Sequence, residues 1–123
     1  MTRAAQQRYR LVTPGRPVLR APKREVVLGV IESLPRDGHA VLASMDQPEV
    51  YIQVWLRSDG SYQLELRDGS VHTHKQTRSV SRERVSAAFT SWLQEHSGEA
   101  DAGWRDTLHW NDISGTLSNG PQV

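Results

Sequence analysis

The stretch that decides the fold is "YIQVWLRSDGSYQLELRDGSVHTHKQT", residues 51–77. Apolar and polar side chains alternate through "YIQVWL" and again through "YQLEL", the period-two pattern of a β-strand with one buried face. Two Asp-Gly pairs, at 59–60 and 68–69, separate three such runs, and Asp-Gly is a strong hairpin signal. The stretch therefore predicts three consecutive antiparallel strands.

The register of the first hairpin follows from its apolar residues. A two-residue turn at 59–60 would place Leu64 opposite Trp55 and point the aliphatic faces apart. A three-residue loop with Gly60 in the left-handed conformation instead pairs Val54 with Leu64. Because a one-residue slip sends every side chain to the opposite face, the pattern favours the three-residue loop.

The second turn, at 68–69, is predicted to be a two-residue type I′ turn. This turn pairs Leu66 with Val71 and keeps the aliphatic positions together. A three-residue loop would bring His72 and His74 to the aliphatic face, against the pattern. The second hairpin is therefore expected to be tighter than the first.

These registers predict a second, polar sheet face opposite the aliphatic one. Its side chains are those of Tyr51, Gln53, Trp55, Gln63, Glu65, Arg67, His72, His74 and Gln76. Exposed Trp and Tyr residues are enriched at protein interfaces, which favours a binding surface at Tyr51, Trp55, Arg67, His72 and His74. In the alternative, the C-terminal segment or the N-terminal arm covers this face as a second small core.

Two helices are predicted on the aliphatic side, at residues 22–34 and 81–96. Both carry apolar residues at helical spacing, and Phe89 and Trp92 in the second helix are expected in the core. In "WRDTLHWNDI", Trp104, Asp106, Leu108 and Trp110 fall at alternate positions, which favours one more strand that joins or crosses the sheet.

The predicted fold class is α+β. A mostly antiparallel meander sheet of four to five strands has both helices on one face, in a single domain of residues 22–113. Residues 1–21 are predicted to be a basic, largely irregular arm with a short extended piece at "RYRLV", and residues 114–123 a flexible tail.

The composition removes several classes of function. The chain has no cysteine, which excludes disulfides, thiolate zinc sites and cysteine nucleophiles and fits a cytoplasmic location. No apolar run approaches the roughly 20 residues of a membrane span, and no signal peptide is recognisable. There is no phosphate-binding glycine loop and no nucleophile elbow, so we expect neither a cofactor nor an enzyme.

The charge is unevenly distributed. Residues 1–24 hold seven basic and no acidic residues, whereas the rest holds eight basic and fourteen acidic residues, a sum of −6. Either the arm is a solvated leader or it contacts an anionic partner, and nucleic acid is the alternative partner on this ground.

A partial metal-ligand pattern occurs in the third strand. His72 and His74 share a strand face, and the predicted register puts Glu65 opposite His72. Zinc or nickel needs further ligands in a defined geometry, and no other residue has a spacing that supplies them. No metal site is therefore predicted.

The order of elements resembles the small immunity proteins of bacterial polymorphic toxin systems, notably the Imm1 type. It is also similar to short proteins of high-GC bacteria that carry "YIQV", "GSYQLE-x-RDG" and a terminal "GWRD…W". The residues behind the resemblance are Tyr51, Gly60, Tyr62, Leu64, Glu65, Gly69, Phe89, Trp104 and Trp110. It covers roughly residues 22–113, and the basic arm is not part of it.

The resemblance implies a non-enzymatic protein that binds and blocks a cognate toxin. An acidic body would then suit a toxin that acts on nucleic acid, because such a toxin usually has a basic cleft. Protein binding is accordingly the first expectation for function, and the oligomeric state is left open.

Overall fold

The computed structural model describes residues 9–70, 73–108 and 110–112. In chain order its elements are β1 (Tyr9–Val12), β2 (Leu19–Arg20), α1 (Arg24–Glu32), β3 (His39–Ser44), β4 (Val50–Leu56), β5 (Tyr62–Asp68), β6 (His74–Val80), α2 (Arg82–His96), a 3₁₀ helix (Ala102–Thr107) and β7 (Asn111–Asp112). Among the described residues, no helix is long and apolar enough to cross a membrane.

The described strands form one antiparallel sheet in the order β2-β1-β3-β4-β5-β6-β7. From β3 to β7 neighbouring strands follow one another in sequence, which confirms the predicted α+β class and the meander. The predicted count of four to five strands was too low, because the structure places seven strands in the sheet.

Two of the additional strands come from the arm that was predicted to be largely irregular: β1 lies within the extended piece expected at "RYRLV", whereas β2 was not predicted. In β1, Tyr9 and Leu11 are buried while Arg10 between them is exposed, the alternation of a strand with one core face. Leu11 pairs with Leu42 of β3, and β2 pairs with the outer edge of β1. Residues 9–12 and 19–20 are thus part of the sheet, whereas residues 1–8 and the predicted tail at 114–123 lie outside the described residues.

Both helices pack on the aliphatic face, as predicted. The core between sheet and helices consists of Tyr9, Leu11, Val27, Val30, Ile31, Ala40, Leu42, Val50, Ile52, Val54, Leu64, Leu66, Val85, Ala88, Phe89 and Trp92. Phe89 and Trp92 are fully buried, which confirms their predicted place. The helix predicted at 22–34 is shorter at both ends, and α2 begins after Ser81, whose Oγ accepts a hydrogen bond from the Arg84 amide at 3.2 Å.

The first hairpin has the predicted register. Val54 pairs with Leu64, and both side chains are buried in the core. The loop spans Ser58 to Gly60, because the Arg57 amide donates to the Ser61 carbonyl at 2.8 Å and Gly60 has a φ of 89°. That left-handed conformation is the one that the three-residue loop requires.

The second turn is wider than predicted. Leu66 pairs with Lys75, not with Val71. The Thr73 hydroxyl accepts hydrogen bonds from the amides of Asp68 and Ser70 at 3.2 and 3.3 Å, which holds a longer loop in place of the two-residue turn. The partner of Leu66 moves by an even number of residues, so the odd and even positions of β6 keep their predicted faces.

The strand predicted near the C-terminus is mostly a 3₁₀ helix. Residues Ala102–Thr107 are helical, and Asp101 caps the turn by accepting a hydrogen bond from the Gly103 amide at 2.9 Å. Of the residues described after the 3₁₀ helix, Asn111–Asp112 join the sheet, where they pair with β6. The alternation in the sequence arises because Trp104, Leu108 and Trp110 pack against the core from a helical turn and its exit.

Candidate functional site

The polar face is built from cross-strand rows that run perpendicular to β4. One row aligns Tyr51 with Arg67 and His74, so the structure brings together three of the five residues predicted for the binding surface. Trp55 lies on the same face, four residues further along β4. The fifth, His72, lies outside the described residues.

The centre of this face is buried. Gln53, Gln63, Glu65, His74 and Gln76 are only 1–7% exposed. The residues at its ends are more accessible, because Tyr51, Trp55, Arg57 and Arg67 are half-buried. The face therefore has a closed polar centre and an accessible rim, which we define as Tyr51, Trp55, Arg57 and Arg67.

A chain of hydrogen bonds connects the rim through the buried centre. Arg57 Nη1 donates to Gln63 Oε1 at 2.7 Å, and Gln63 Nε2 donates to Glu65 Oε2 at 2.6 Å. The arginine fixes the amide orientation of Gln63, because a guanidinium has no acceptor and must face the carbonyl oxygen. The amide nitrogen then points at the Glu65 carboxylate.

The chain continues through His74. Its Nε2 lies 2.8 Å from Glu65 Oε1, and its Nδ1 lies 2.8 Å from Arg67 Nη2. Because Arg67 only donates, Nδ1 must carry the lone pair, and Nε2 carries the proton that is donated to Glu65. The geometry therefore selects the neutral Nε2–H tautomer of His74.

Arg67 ends the chain at the surface. Its Nη1 donates to Glu49 Oε1 at 2.5 Å, and the Glu49 side chain is 55% exposed. Its Nε is buried and has no hydrogen-bond partner among the described residues. Arg67 thus joins the buried centre to an exposed carboxylate while one of its donors is unused.

Tyr51 packs against both His74 and Arg67. Its ring meets the His74 ring edge-on at 6.0 Å, and Arg67 Cζ lies 5.6 Å from the centre of the Tyr51 ring. Burial raises the pKa of Tyr51, while the charge of Arg67 opposes that change. The phenol is accordingly a neutral group that can donate and accept hydrogen bonds.

Trp55 forms the other end of the rim. Arg57 Cζ lies 4.4 Å above the centre of its ring, a cation–π arrangement. Because Gln63 holds Arg57 from the other side, the indole and the guanidinium stay together at the surface. His39, the cross-strand partner of Trp55, has a pKa that burial lowers, so its imidazole is neutral near pH 7.

The polar side chains of this face are engaged with one another, which disfavours a metal site. Within the described parts of the chain, no three His, Asp or Glu residues are grouped so that they could hold a metal ion. Glu65 contacts the histidine His74, but its cross-strand partner is Gln76, so the predicted position of His72 opposite Glu65 was wrong. The positive guanidinium of Arg67 beside His74 also disfavours a cation there.

Sequence reasoning missed the group that fixes the C-terminal segment. Arg105 donates to Glu95 Oε2 at 2.7 Å and to Asp68 Oδ2 at 3.0 Å, so it connects α2 to the end of β5. Trp104 Nε1 donates to Glu95 Oε1 at 2.8 Å, and Trp110 Nε1 donates to the Arg105 carbonyl at 2.8 Å. Charged residues this far apart in sequence carry no spacing signal, although the "GWRD…W" pattern marked the tryptophans.

Comparison with protein-family models, with curated proteins and with solved structures gives no match. The resemblance to immunity proteins therefore stays a prediction.

Proposed function

We propose that this chain is a non-enzymatic protein-binding domain and that the rim of the polar face is its contact surface. The observation that carries the proposal is the pairing of two half-buried aromatic rings, Tyr51 and Trp55, with arginines whose positions are fixed from below. Aromatic and arginine side chains dominate the energy of protein interfaces.

The buried centre makes the rim favourable for binding. Ordering a flexible side chain at an interface costs roughly 0.5–1.5 kcal/mol. Arg57 and Arg67 are already held by Gln63 and His74, so little of that entropy remains to be lost when a partner binds. In this proposal His74 acts by holding Arg67, because it is only 3% exposed, and His72 stays a predicted contact.

The state of His74 supports a binding role over a catalytic one. A general base needs a nitrogen within reach of the proton that it removes. Both ring nitrogens of His74 are bonded to protein side chains, and Glu65 is buried beneath them. The pair of His74 and Glu65 is thus engaged in holding the rim.

We further propose that the partner is a toxin that this domain blocks, in the cytoplasm of the cell that makes both. The resemblance to immunity proteins supports this proposal, and so does a site that binds without reacting. Co-expression provides a direct check, because the wild-type chain would rescue growth in the presence of the toxin encoded beside it.

The contact surface is tested by capture from a lysate of the organism that encodes the chain. Trp55→Ala and Tyr51→Ala should each weaken binding of the partner by about 2 kcal/mol, roughly thirtyfold in affinity, as truncation of interface anchors does. Val26→Ala is the matched control, because Val26 is an exposed apolar residue of α1 on the opposite side of the sheet. If Val26→Ala loses the partner and the rim variants keep it, the rim is not the contact surface.

A second candidate function is nucleic-acid binding through the basic N-terminal region. The observation in its favour is that residues 9–24 hold five basic and no acidic side chains. Deleting residues 1–20 is an unsuitable test, because it removes β1 and its core residue Leu11. A steep loss of oligonucleotide affinity with added salt, reduced by Arg16→Gln together with Lys23→Gln, would favour this candidate.

A further inference from the structure

A row of basic side chains extends the rim to the edge of the sheet. Following cross-strand partners from β2 inward, Arg20 pairs with Arg10, Arg10 with Ala43, Ala43 with Tyr51 and Tyr51 with Arg67. Paired residues of an antiparallel sheet point to the same face, so the three arginines and the tyrosine form one line. With strands about 4.8 Å apart, the line spans roughly 19 Å.

The outer half of this line has charge without compensation. Arg10 and Arg20 are both exposed and directly opposite each other, an arrangement that destabilises a strand pair. Neither guanidinium forms an ion pair with a described residue. Two adjacent positive charges of this kind are neutralised well by an anionic group placed between them.

The inner end of the line already holds a carboxylate. Arg67 pairs with Glu49, which belongs to the turn between β3 and β4 and is more than half exposed. Exposed ion pairs contribute little to stability, so another carboxylate can replace Glu49 at small cost. Glu49 therefore occupies the place that an acidic group of a partner would take.

We propose that the line Arg20–Arg10–Tyr51–Arg67 binds an extended acidic segment of the partner protein, with Glu49 as its internal competitor. This inference rests on the proposed protein-binding function and names the chemistry of the partner. Arg10 and Arg67 are three strand spacings apart, about 14 Å, which four residues of extended chain cover. Carboxylates at alternate positions of such a segment meet both arginines from one side.

The charge distribution favours an acidic peptide over the two other partners considered. The net negative charge of the body favoured a partner with a basic cleft. This face of the sheet presents arginines, however, so it favours an acidic segment of the partner. Nucleic acid binds through many phosphates, and residues 25–123 sum to −6, which repels a long polyanion. A short acidic segment needs only two or three contacts and avoids that repulsion.

The test uses a fluorescein-labelled decapeptide of alternating Glu and Thr, with its Gln–Thr counterpart and a single-stranded thymidine decamer as controls. Anisotropy is measured at about 20 mM salt, where screening is weak. Arg10→Gln with Arg20→Gln should weaken Glu–Thr binding about five- to tenfold, whereas Glu49→Gln should tighten it about two- to fivefold. These opposite signs arise because one change removes attraction and the other removes the competitor.

The matched control is Arg82→Gln with Arg84→Gln, which removes the same charge from the exposed start of α2 and should change affinity less than about twofold. An equal loss in both double variants, no tightening by Glu49→Gln, no binding of the Glu–Thr peptide, or preferred binding of the thymidine decamer would each overturn the inference. If the peptide test fails while Trp55→Ala still loses the natural partner, the acidic segment is wrong and the rim proposal stands. If the peptide binds as expected while Trp55→Ala keeps the natural partner, the acidic-segment proposal stands and the rim proposal is wrong.

Discussion

In β5, Leu64 and Leu66 face the helices while Gln63 and Glu65 face the other way, yet all four are at most 2% exposed. The leucines are buried by contacts that depend on shape and volume. The polar pair is buried within an ordered chain in which Arg57 donates to Gln63, and Gln63 and His74 donate to Glu65. The leucine face of β5 should therefore tolerate substitution better than the polar face, because apolar contacts have no preferred direction and hydrogen bonds do.

The difference extends to what replaces a lost residue. On the helix side a smaller apolar residue leaves a cavity whose cost grows with volume. On the polar side an isosteric change is enough to do damage. In Glu65→Gln an amide nitrogen would face either Gln63 Nε2 or His74 Nε2, and both are donors there.

The largest effect is expected on the helix side. Trp92→Ala and Phe89→Ala should each lower the free energy of unfolding by about 3–5 kcal/mol, because both side chains are fully buried. Urea denaturation followed by circular dichroism measures this. A loss below about 1 kcal/mol would show that this helix face does not carry the core.

On the polar side, Glu65→Ala should lower the free energy of unfolding by about 2–4 kcal/mol, because it leaves Gln63 Nε2 and His74 Nε2 without their acceptor. Glu49→Gln is the control and should cost below about 0.5 kcal/mol, since Glu49 is exposed. In a His74→Ala background the Glu65→Ala loss should shrink. Full additivity would show that the two residues do not act as one unit.

Tyr9, a core residue on the helix side, should make the free energy of unfolding depend on pH at high pH. Burial raises its pKa from 10.0 to about 12, and its hydroxyl donates to the His96 carbonyl at 2.5 Å. A phenol with a raised folded-state pKa stabilises the fold below the unfolded pKa, and that stability is lost as pH rises from about 10 towards 12. Tyr9→Phe should show a smaller loss over this window, measured by urea midpoints at several pH values. Identical pH profiles would contradict the assignment.

Trp55→Ala should have a small effect on stability, about 1 kcal/mol or less, since Trp55 is half-buried and stacks against the Arg57 guanidinium. The same denaturation experiment as for Trp92→Ala provides the comparison between the two tryptophans. Unfolding of the Trp55→Ala variant would place this side chain in a second core. The rim would then lose its accessible anchor.

The smallest effect is a gain. Arg20→Glu should stabilise the protein by about 0.2–1 kcal/mol, because it replaces a repulsive cross-strand pair with Arg10 by an attractive one. The gain should disappear in an Arg10→Gln background. Thermal melts of the wild type, the two single variants and the double variant complete this double-mutant cycle. A destabilised Arg20→Glu variant would show that the two arginines do not repel each other in the folded state.

The parts of the fold that local pattern determines were predictable. The Val54–Leu64 register followed from alternation and a left-handed glycine, and the burial of Trp92 followed from helical spacing. The second turn was not, because Asp68-Gly69 has the composition of a two-residue turn while Thr73 closes a longer loop through its hydroxyl. Composition alone does not distinguish these two turns.

Non-local pairing limited the rest. β1 is placed by β3, whose paired residues lie 29 to 35 positions later, so the proline-containing N-terminal region by itself indicated only a short extended piece at "RYRLV" and no place in the sheet. On the candidate site, the strand face of Tyr51, Arg67 and His74 was predictable from alternation. The burial of Glu65 and His74 was not, because it depends on a chain of partners drawn from two strands and two loops.

The edge strand β2 has a consequence for how the protein behaves at high concentration. It is two residues long, Leu19–Arg20, with Pro17 before it and Pro22 after it. Proline has no amide donor, and a charged, very short edge gives another chain almost no backbone to pair with. A sheet of this width would otherwise be a template for edge-to-edge aggregation, and this margin protects the fold against it.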